Sequence, residues 1–128
     1  MYEIIEQRKE KRLRYHWPIW FAEDFNKELS QGQMFDITST GASFTCYADK
    51  CPRLGQSITT RFSIPRYGRK GVSFGVENYI RTGTISRVEE VNSYIRRVAL
   101  RFVEVLPFRP AEQDMPTLVR ELSVINED

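Results

Sequence analysis

Two short polar segments hold the side chains with the clearest chemical capability. The segment Arg8-Lys-Glu-Lys-Arg12 carries two arginines four residues apart, and Asp36-Ile-Thr-Ser-Thr-Gly41 supplies a carboxylate, hydroxyls and a glycine. A guanidinium group is a planar fork of donors that pairs with two acceptors at once, which a lysine ammonium cannot do. A carboxylate accepts from two adjacent donors, and a glycine lets a turn lie close to a ligand. Together the segments have the groups needed to bind a guanine nucleotide.

The composition indicates a single soluble domain and excludes several functional classes. A chain of 128 residues, 41% hydrophobic and 28% charged, is typical of one globular unit with its own core. It has no apolar run of about 18 residues and no signal-peptide pattern, so we predict a cytoplasmic protein without membrane insertion. A formal charge of +2 argues against a DNA-binding domain.

The sequence offers little material for a metal site or for catalysis. Cys46 and Cys51 do not have a CxxC spacing, and His16 is the only histidine. There is no nucleophile and base pair around His16, no Walker loop and no catalytic pair of carboxylates. We therefore predict no cofactor, no metal and no enzymatic activity.

Alternating apolar residues predict a series of short strands separated by turns. The predicted strands span residues 13–22, 33–38, 41–47, 58–64, 82–91 and 94–102. Pro18 lies inside the first of them, which favours an edge strand or a bulge over a central strand. In the fourth, Ile58, Thr60, Phe62 and Ile64 should face inward. Strands that follow one another without helices are typical of an antiparallel barrel or sandwich.

The two ends of the chain have a different pattern. Residues 112–124 predict a helix with Leu118, Val119 and Leu122 as its buried stripe and Pro116 in its first turn. Residues 3–11 have helical propensity but a weak apolar face, so we expect them to be only partly ordered.

The order of these signals resembles the PilZ domain, a bacterial receptor module for cyclic di-GMP. That family shows RxxxR, a strand containing a proline and aliphatic residues, a glycine, and then [D/N]xSxxG. The matching residues are Arg8 and Arg12, Trp17-Pro18-Ile19, Gly32, and Asp36, Thr38 and Gly41 followed by Ala-Ser-Phe. Further similar marks are Leu54-Gly55, Ile64-Pro65, Gly83-Thr84-Ile85 and Val98-Ala99-Leu100-Arg101-Phe102. Thr38 departs from the usual serine but keeps the hydroxyl.

This resemblance implies a fold, a ligand and a site. The fold would be an all-β, six-stranded antiparallel barrel of the PilZ split-barrel type with a C-terminal helix. Residues 1–12 would be a flexible segment with RxxxR, residues 13–106 the barrel and residues 107–128 the helix and tail. The ligand would be cyclic di-GMP, and the N-terminal arginine segment would become ordered over it and signal to a separate effector protein. The implied ligand-binding residues are Arg8, Arg12, Asp36, Thr38 and Gly41.

The chemistry of guanine agrees with this site. Its O6 and N7 acceptors suit an arginine fork, and its N1–H and exocyclic amine suit the carboxylate of Asp36. Adenine lacks that pair of donors. A cyclic dinucleotide also offers phosphate oxygens, so Arg8 and Arg12 can divide bases and phosphates between them. On this view Arg12→Ala should weaken binding and hardly change thermal stability.

Other interpretations of the same residues remain open. Arg8 and Arg12 can be a solvated helix face balanced by Glu6 and Glu10, and Asp36 and Thr38 can cap a turn. A PilZ-like domain can also serve as a protein-interaction module that binds no nucleotide. A less favoured alternative is a small RNA-binding module, since the basic loop Gly68-Arg-Lys-Gly71 has the GxxG form that clamps nucleic acid in KH domains.

Overall fold

One antiparallel sheet makes up nearly all of the structure. The computed structural model describes residues 10–67, 75–113 and 124–125. Its strands are β1 (Arg12–Arg14), β2 (Pro18–Ala22), β3 (Ser30–Ile37), β4 (Gly41–Tyr47), β5 (Ser57–Arg66), β6 (Gly75–Glu90), β7 (Ile95–Phe102) and β8 (Val124–Ile125). The strand order is β2-β5-β6-β7-β4-β3-β1-β8, and β2 also pairs with β3. This last pairing closes six strands into a barrel, as predicted, with β1 and β8 added beside β3.

The predicted first strand over residues 13–22 is in fact two strands. β1 and β2 both pair with β3, and residues 15–17 separate them. The expectation of an edge strand around Pro18 is wrong, because β2 pairs with β3 on one side and β5 on the other. Pro18 is tolerated there as the first residue of the strand, where proline's missing N–H costs little.

The barrel interior follows the predicted alternation. Ile58, Thr60, Phe62 and Ile64 of β5 are all buried, which confirms the inward face of that strand. The buried hydroxyl of Thr60 donates to a carbonyl oxygen of β6 at 2.9 Å, so its polar atom is satisfied. The apolar core consists of Leu13, Tyr15, Ile19, Phe21, Met34, Ile37, Ala42, Phe44, Cys46, Ile58, Phe62, Ile64, Tyr67, Ile85, Val98, Leu100, Phe102, Leu106 and Ala111.

The hairpin of β5 and β6 is longer than predicted. β5 continues through Pro65 to Arg66, and β6 begins at Gly75 rather than at residue 82. The chain that follows β7 covers this extension: Arg66 lies 3.8 Å above the ring of Phe108, and the side chain of Gln113 donates to the Pro65 carbonyl at 2.9 Å. The C-terminal chain therefore covers part of the inward face of this extension, where β6 carries Glu77, Tyr79 and Arg81.

The C-terminal helix expected over residues 112–124 is not shown. Residues 114–123, with the predicted stripe Leu118, Val119 and Leu122, lie outside the described residues. At the ends of this range, Glu112 closes a short 3-10 turn (Pro110–Glu112), and Val124 begins β8 instead of ending a helix. β8 pairs with β1 through Leu13 and Val124, so the C-terminal chain returns to the strand that carries Arg12.

Candidate functional site

A bulge in β3 places Asp36 on the outer face of the barrel. The pairing of β3 with β4 skips Phe35, so Asp36 lies opposite Ser43. Met34 and Ile37 both belong to the core. Because side chains alternate along a regular strand, the extra residue between these two is what turns Asp36 outward.

Asp36 is a nearly buried carboxylate with two side-chain partners. It is only 5% exposed, although it lies outside the core. The Ser43 hydroxyl donates to its Oδ1 at 2.6 Å, and Nη1 of Arg12 lies 3.4 Å from its Oδ2. A buried charge needs such compensation. The turn-capping interpretation therefore does not describe Asp36, whose partners belong to other strands.

Turn capping does describe Thr38. Its hydroxyl accepts from the Thr40 N–H at 3.3 Å, and its N–H donates to the Gly41 carbonyl at 2.9 Å. These bonds close the turn between β3 and β4. The glycine is needed because a Cβ at Gly41 would lie 2.3 Å from the carbonyl oxygen of Leu100 on β7. Among the described glycines, a positive φ occurs at Gly55 and not at Gly41. Glycine is therefore required at position 41 by the close approach of β7 and not by its backbone conformation.

A cleft of about 510 Å³ opens on this outer face. Its walls are the chain entering β1, the turn between β3 and β4, a second bulge in β6 and the segment after β7. Its lining residues are Glu10, Arg12, Asp36, Thr38, Ser39, Thr40, Gly41, Ala42, Ser43, Ser86, Arg87, Ala99, Leu100 and Arg109. Four of the five predicted site residues are thus brought together, and the fifth, Arg8, lies outside the described residues.

The cleft combines three cations with two carboxylates. Arg12, Arg87 and Arg109 line it together with Asp36 and Glu10. The guanidinium groups of Arg87 and Arg109 also form ion pairs of 3.2 and 3.3 Å with neighbouring glutamates. Both cleft carboxylates accept short hydrogen bonds from serine hydroxyls. The arrangement suits a ligand that carries negative charge and also offers hydrogen-bond donors.

Several residues of the cleft were not predicted from the sequence. Ser43 and Glu10 could have been recognised from their positions, since Ser43 lies two residues after Gly41 and Glu10 lies between the two arginines. No local pattern marks Arg87 or Arg109. Arg87 reaches the cleft because β6 bulges between Ile85 and itself, and Arg109 because the chain folds back after β7.

Outside the cleft, the described residues offer less chemistry. They contain no group of three or more His, Cys, Asp or Glu side chains arranged to hold a metal. Cys46 and Cys51 are free thiols, and burial, aided by Cys51, raises the pKa of Cys46 to about 12. No helix among the described residues is both long and apolar enough to cross a membrane. The loop Gly68-Arg-Lys-Gly71 lies outside the described residues.

Comparison with known proteins identifies a shared fold. No family model and no curated protein matches the chain. Among solved structures, it is similar to the inhibitor of motility MotI/DgrA of Bacillus subtilis, with a TM-score of 0.63 and 13% sequence identity. The similarity covers 80% of this chain and 46% of that one, so the chain spans about half the length of MotI/DgrA. At this identity the similarity establishes the barrel fold.

Proposed function

We propose that this protein is a receptor for cyclic di-GMP that regulates a separate effector protein. The observation that carries the proposal is the convergence of Arg12, Asp36 and the turn ending at Gly41 in one cleft, because they belong to the two motifs that resemble the PilZ domain. Those motifs are more than 20 residues apart in the chain and neither is specific alone. The cleft volume falls within the roughly 300–1,000 Å³ usual for small-molecule pockets.

Each group has a role that its chemistry suits. The guanidinium of Arg12 meets a phosphate or the O6 and N7 edge of guanine, and Arg8 supplies a second fork four residues upstream. Asp36 accepts from the N1–H and amine of guanine. The hydroxyl of Thr38 serves the turn, so Thr38 and Gly41 act by shaping the backbone beside the ligand.

Regulation would follow from ordering of the N-terminal chain over the ligand. In the structure, Glu10 accepts a hydrogen bond from Ser39, and the Lys11 N–H donates one to Glu112. Ligand binding would rearrange the chain at Glu10 and before it and bring Arg8 to the cleft. The name of MotI/DgrA describes an inhibitor of motility, and this analogy of fold supports a regulatory role.

Calorimetric titration with cyclic di-GMP tests the proposal. We expect saturable binding to the wild-type protein and a preference over cyclic di-AMP of about 10- to 100-fold, since adenine leaves the Asp36 carboxylate without its donors. Arg12→Ala should cost on the order of 1–3 kcal/mol of binding free energy, and Arg12→Lys should restore little of it. Lys27→Ala removes a charge far from the cleft and should bind as wild type does.

Two results would refute the proposal. The absence of binding heat for cyclic di-GMP with a folded wild-type protein would remove the ligand assignment. Equal affinity for the guanine and adenine dinucleotides would remove the role of Asp36 and show that only phosphates are held. Circular dichroism of each variant at the titration temperature separates lost binding from lost folding.

A further inference from the structure

The carboxylate of Glu10 is bound by the turn between β3 and β4. Its Oε2 accepts from the backbone N–H of Ser39 at 2.8 Å, and its Oε1 accepts from the Ser39 hydroxyl at 2.7 Å. The two residues are 29 positions apart, so this is a long-range contact between the N-terminal chain and the cleft wall. One residue thus presents two donors to the two oxygens of one anion.

The same pair of donors suits a phosphate. Backbone N–H groups and hydroxyls are common partners of phosphate oxygens, and hydrogen bonds to an anionic oxygen are stronger than neutral ones. Arg12, Arg87 and Arg109 line the cleft that contains Ser39. If the Glu10 carboxylate left the cleft, Asp36 would be the one carboxylate left in its lining, while the glutamates that pair with Arg87 and Arg109 lie outside that lining. The charge of the cleft therefore favours an anionic ligand once Glu10 is displaced.

We propose that the N–H and hydroxyl of Ser39 form a phosphate subsite, which Glu10 occupies as an internal substitute when no ligand is bound. The inference deepens the proposed function and rests on it for the identity of the ligand, in which the phosphate is a phosphodiester of the cyclic dinucleotide. A phosphate and the Glu10 carboxylate cannot share these donors, because two like charges in contact repel each other strongly. Ligand binding must displace Glu10, and this competition weakens the apparent affinity.

The test compares Glu10→Ala and Glu10→Gln with the wild-type protein. Glu10→Gln keeps the size of the side chain and removes its charge, so it remains informative if Glu10→Ala loosens the N-terminal chain. Glu23→Ala is the matched control, since it removes the same charge far from the cleft. The probes are pyrophosphate and cyclic di-GMP, and the measurements are the backbone amide signal of Ser39 by NMR and the affinity by calorimetry.

We expect both Glu10 variants to bind cyclic di-GMP roughly tenfold or more tightly than wild type, and Glu23→Ala to bind equally. Pyrophosphate should shift the Ser39 amide signal in the Glu10 variants at concentrations that leave it unchanged in wild type. Adding Ser39→Ala to Glu10→Ala should remove most of the gain, because one of the two donors is lost.

The outcomes separate this inference from the proposed function. A pyrophosphate-dependent shift of Ser39 without any binding of cyclic di-GMP would support the subsite and refute the dinucleotide as ligand. Unchanged dinucleotide affinity in both Glu10 variants, with no shift of Ser39, would refute the subsite and leave the receptor proposal standing. Weaker binding in the Glu10 variants would also refute it, since Glu10 would then contact the ligand instead of competing with it.

Discussion

Loss of Arg12 should destabilise the protein even without ligand. Arg12 lies 3.4 Å from Asp36 as its cationic partner, and the Asp36 side chain is 7% exposed. Removing one partner of a fully buried ion pair costs about 3–5 kcal/mol, whereas exposed pairs contribute about 0.2–1 kcal/mol. The Arg12 side chain is 35% exposed and Ser43 still donates to Asp36, so we expect Arg12→Ala to cost about 1–2 kcal/mol.

Chemical and thermal unfolding of Arg12→Ala, Asp36→Asn and the double variant measure this loss. For a domain of this size, 1 kcal/mol corresponds to a Tm decrease of roughly 3–6 °C. Asp36→Asn removes the charge that Arg12 compensates, so the double variant should be more stable than the sum of the single losses predicts, by about 1 kcal/mol. A loss below about 0.5 kcal/mol for Arg12→Ala would match an ordinary surface substitution. It would refute the stabilising role of the ion pair between Arg12 and Asp36. It would instead agree with the sequence-based expectation that Arg12 hardly affects stability.

Two further predictions concern single residues near and away from the cleft. Gly41→Ala should lower the free energy of unfolding by about 1–3 kcal/mol, because the new Cβ would lie 2.3 Å from the Leu100 carbonyl oxygen and β4 must shift. Gly75→Ala, whose Cβ meets no atom within 4 Å, is the control for a general effect of losing glycine. Iodoacetamide at pH 8 should modify Cys51 well before Cys46, since burial raises the pKa of the Cys46 thiol to about 12. Peptide mass spectrometry gives the two rates, and equal rates would contradict the burial of Cys46.

Local sequence predicted the strands because their alternation is local, while the choice of a barrel over a sandwich came from the resemblance to the PilZ domain. Ile58, Thr60, Phe62 and Ile64 alternate with outward residues, and all four are buried as expected. Burial of one face of a strand is encoded by residue type at every second position, so it can be recognised without knowing the neighbours. The paired arginines and the motif ending at Gly41 were recognisable for a similar reason, since each is contained in six residues or fewer.

The features that the sequence did not predict depend on pairing between segments that are distant in the chain. Residues 75–81 were not predicted as part of a strand, because Glu77, Tyr79 and Arg81 put polar groups at its inward positions. Glu77 pairs there with Arg66 of β5, and the returning C-terminal chain contacts Tyr79 through Phe108 and Arg81 through the Val105 carbonyl. The bulge at Phe35 is equally hidden, since it depends on the register of β3 against β4. Without that bulge, Asp36 would point toward the core, so the main acceptor of the proposed site depends on a feature that no local pattern reveals.

The internal contacts of the cleft limit the ligands that it can favour. Asp36 is satisfied by Arg12 and Ser43, and Ser39 by Glu10, so a ligand must replace bonds that already exist. A phosphate alone would draw Arg12 away and leave the nearly buried Asp36 carboxylate without a cation, at a cost that opposes binding. A guanine base alone would give Asp36 donors but supply no charge to displace Glu10 from Ser39. A ligand that carries both guanine donors and a phosphate replaces both sets of partners in one step. On the proposed function, the neutralised cleft is therefore itself a source of selectivity for a guanine nucleotide over either of its parts.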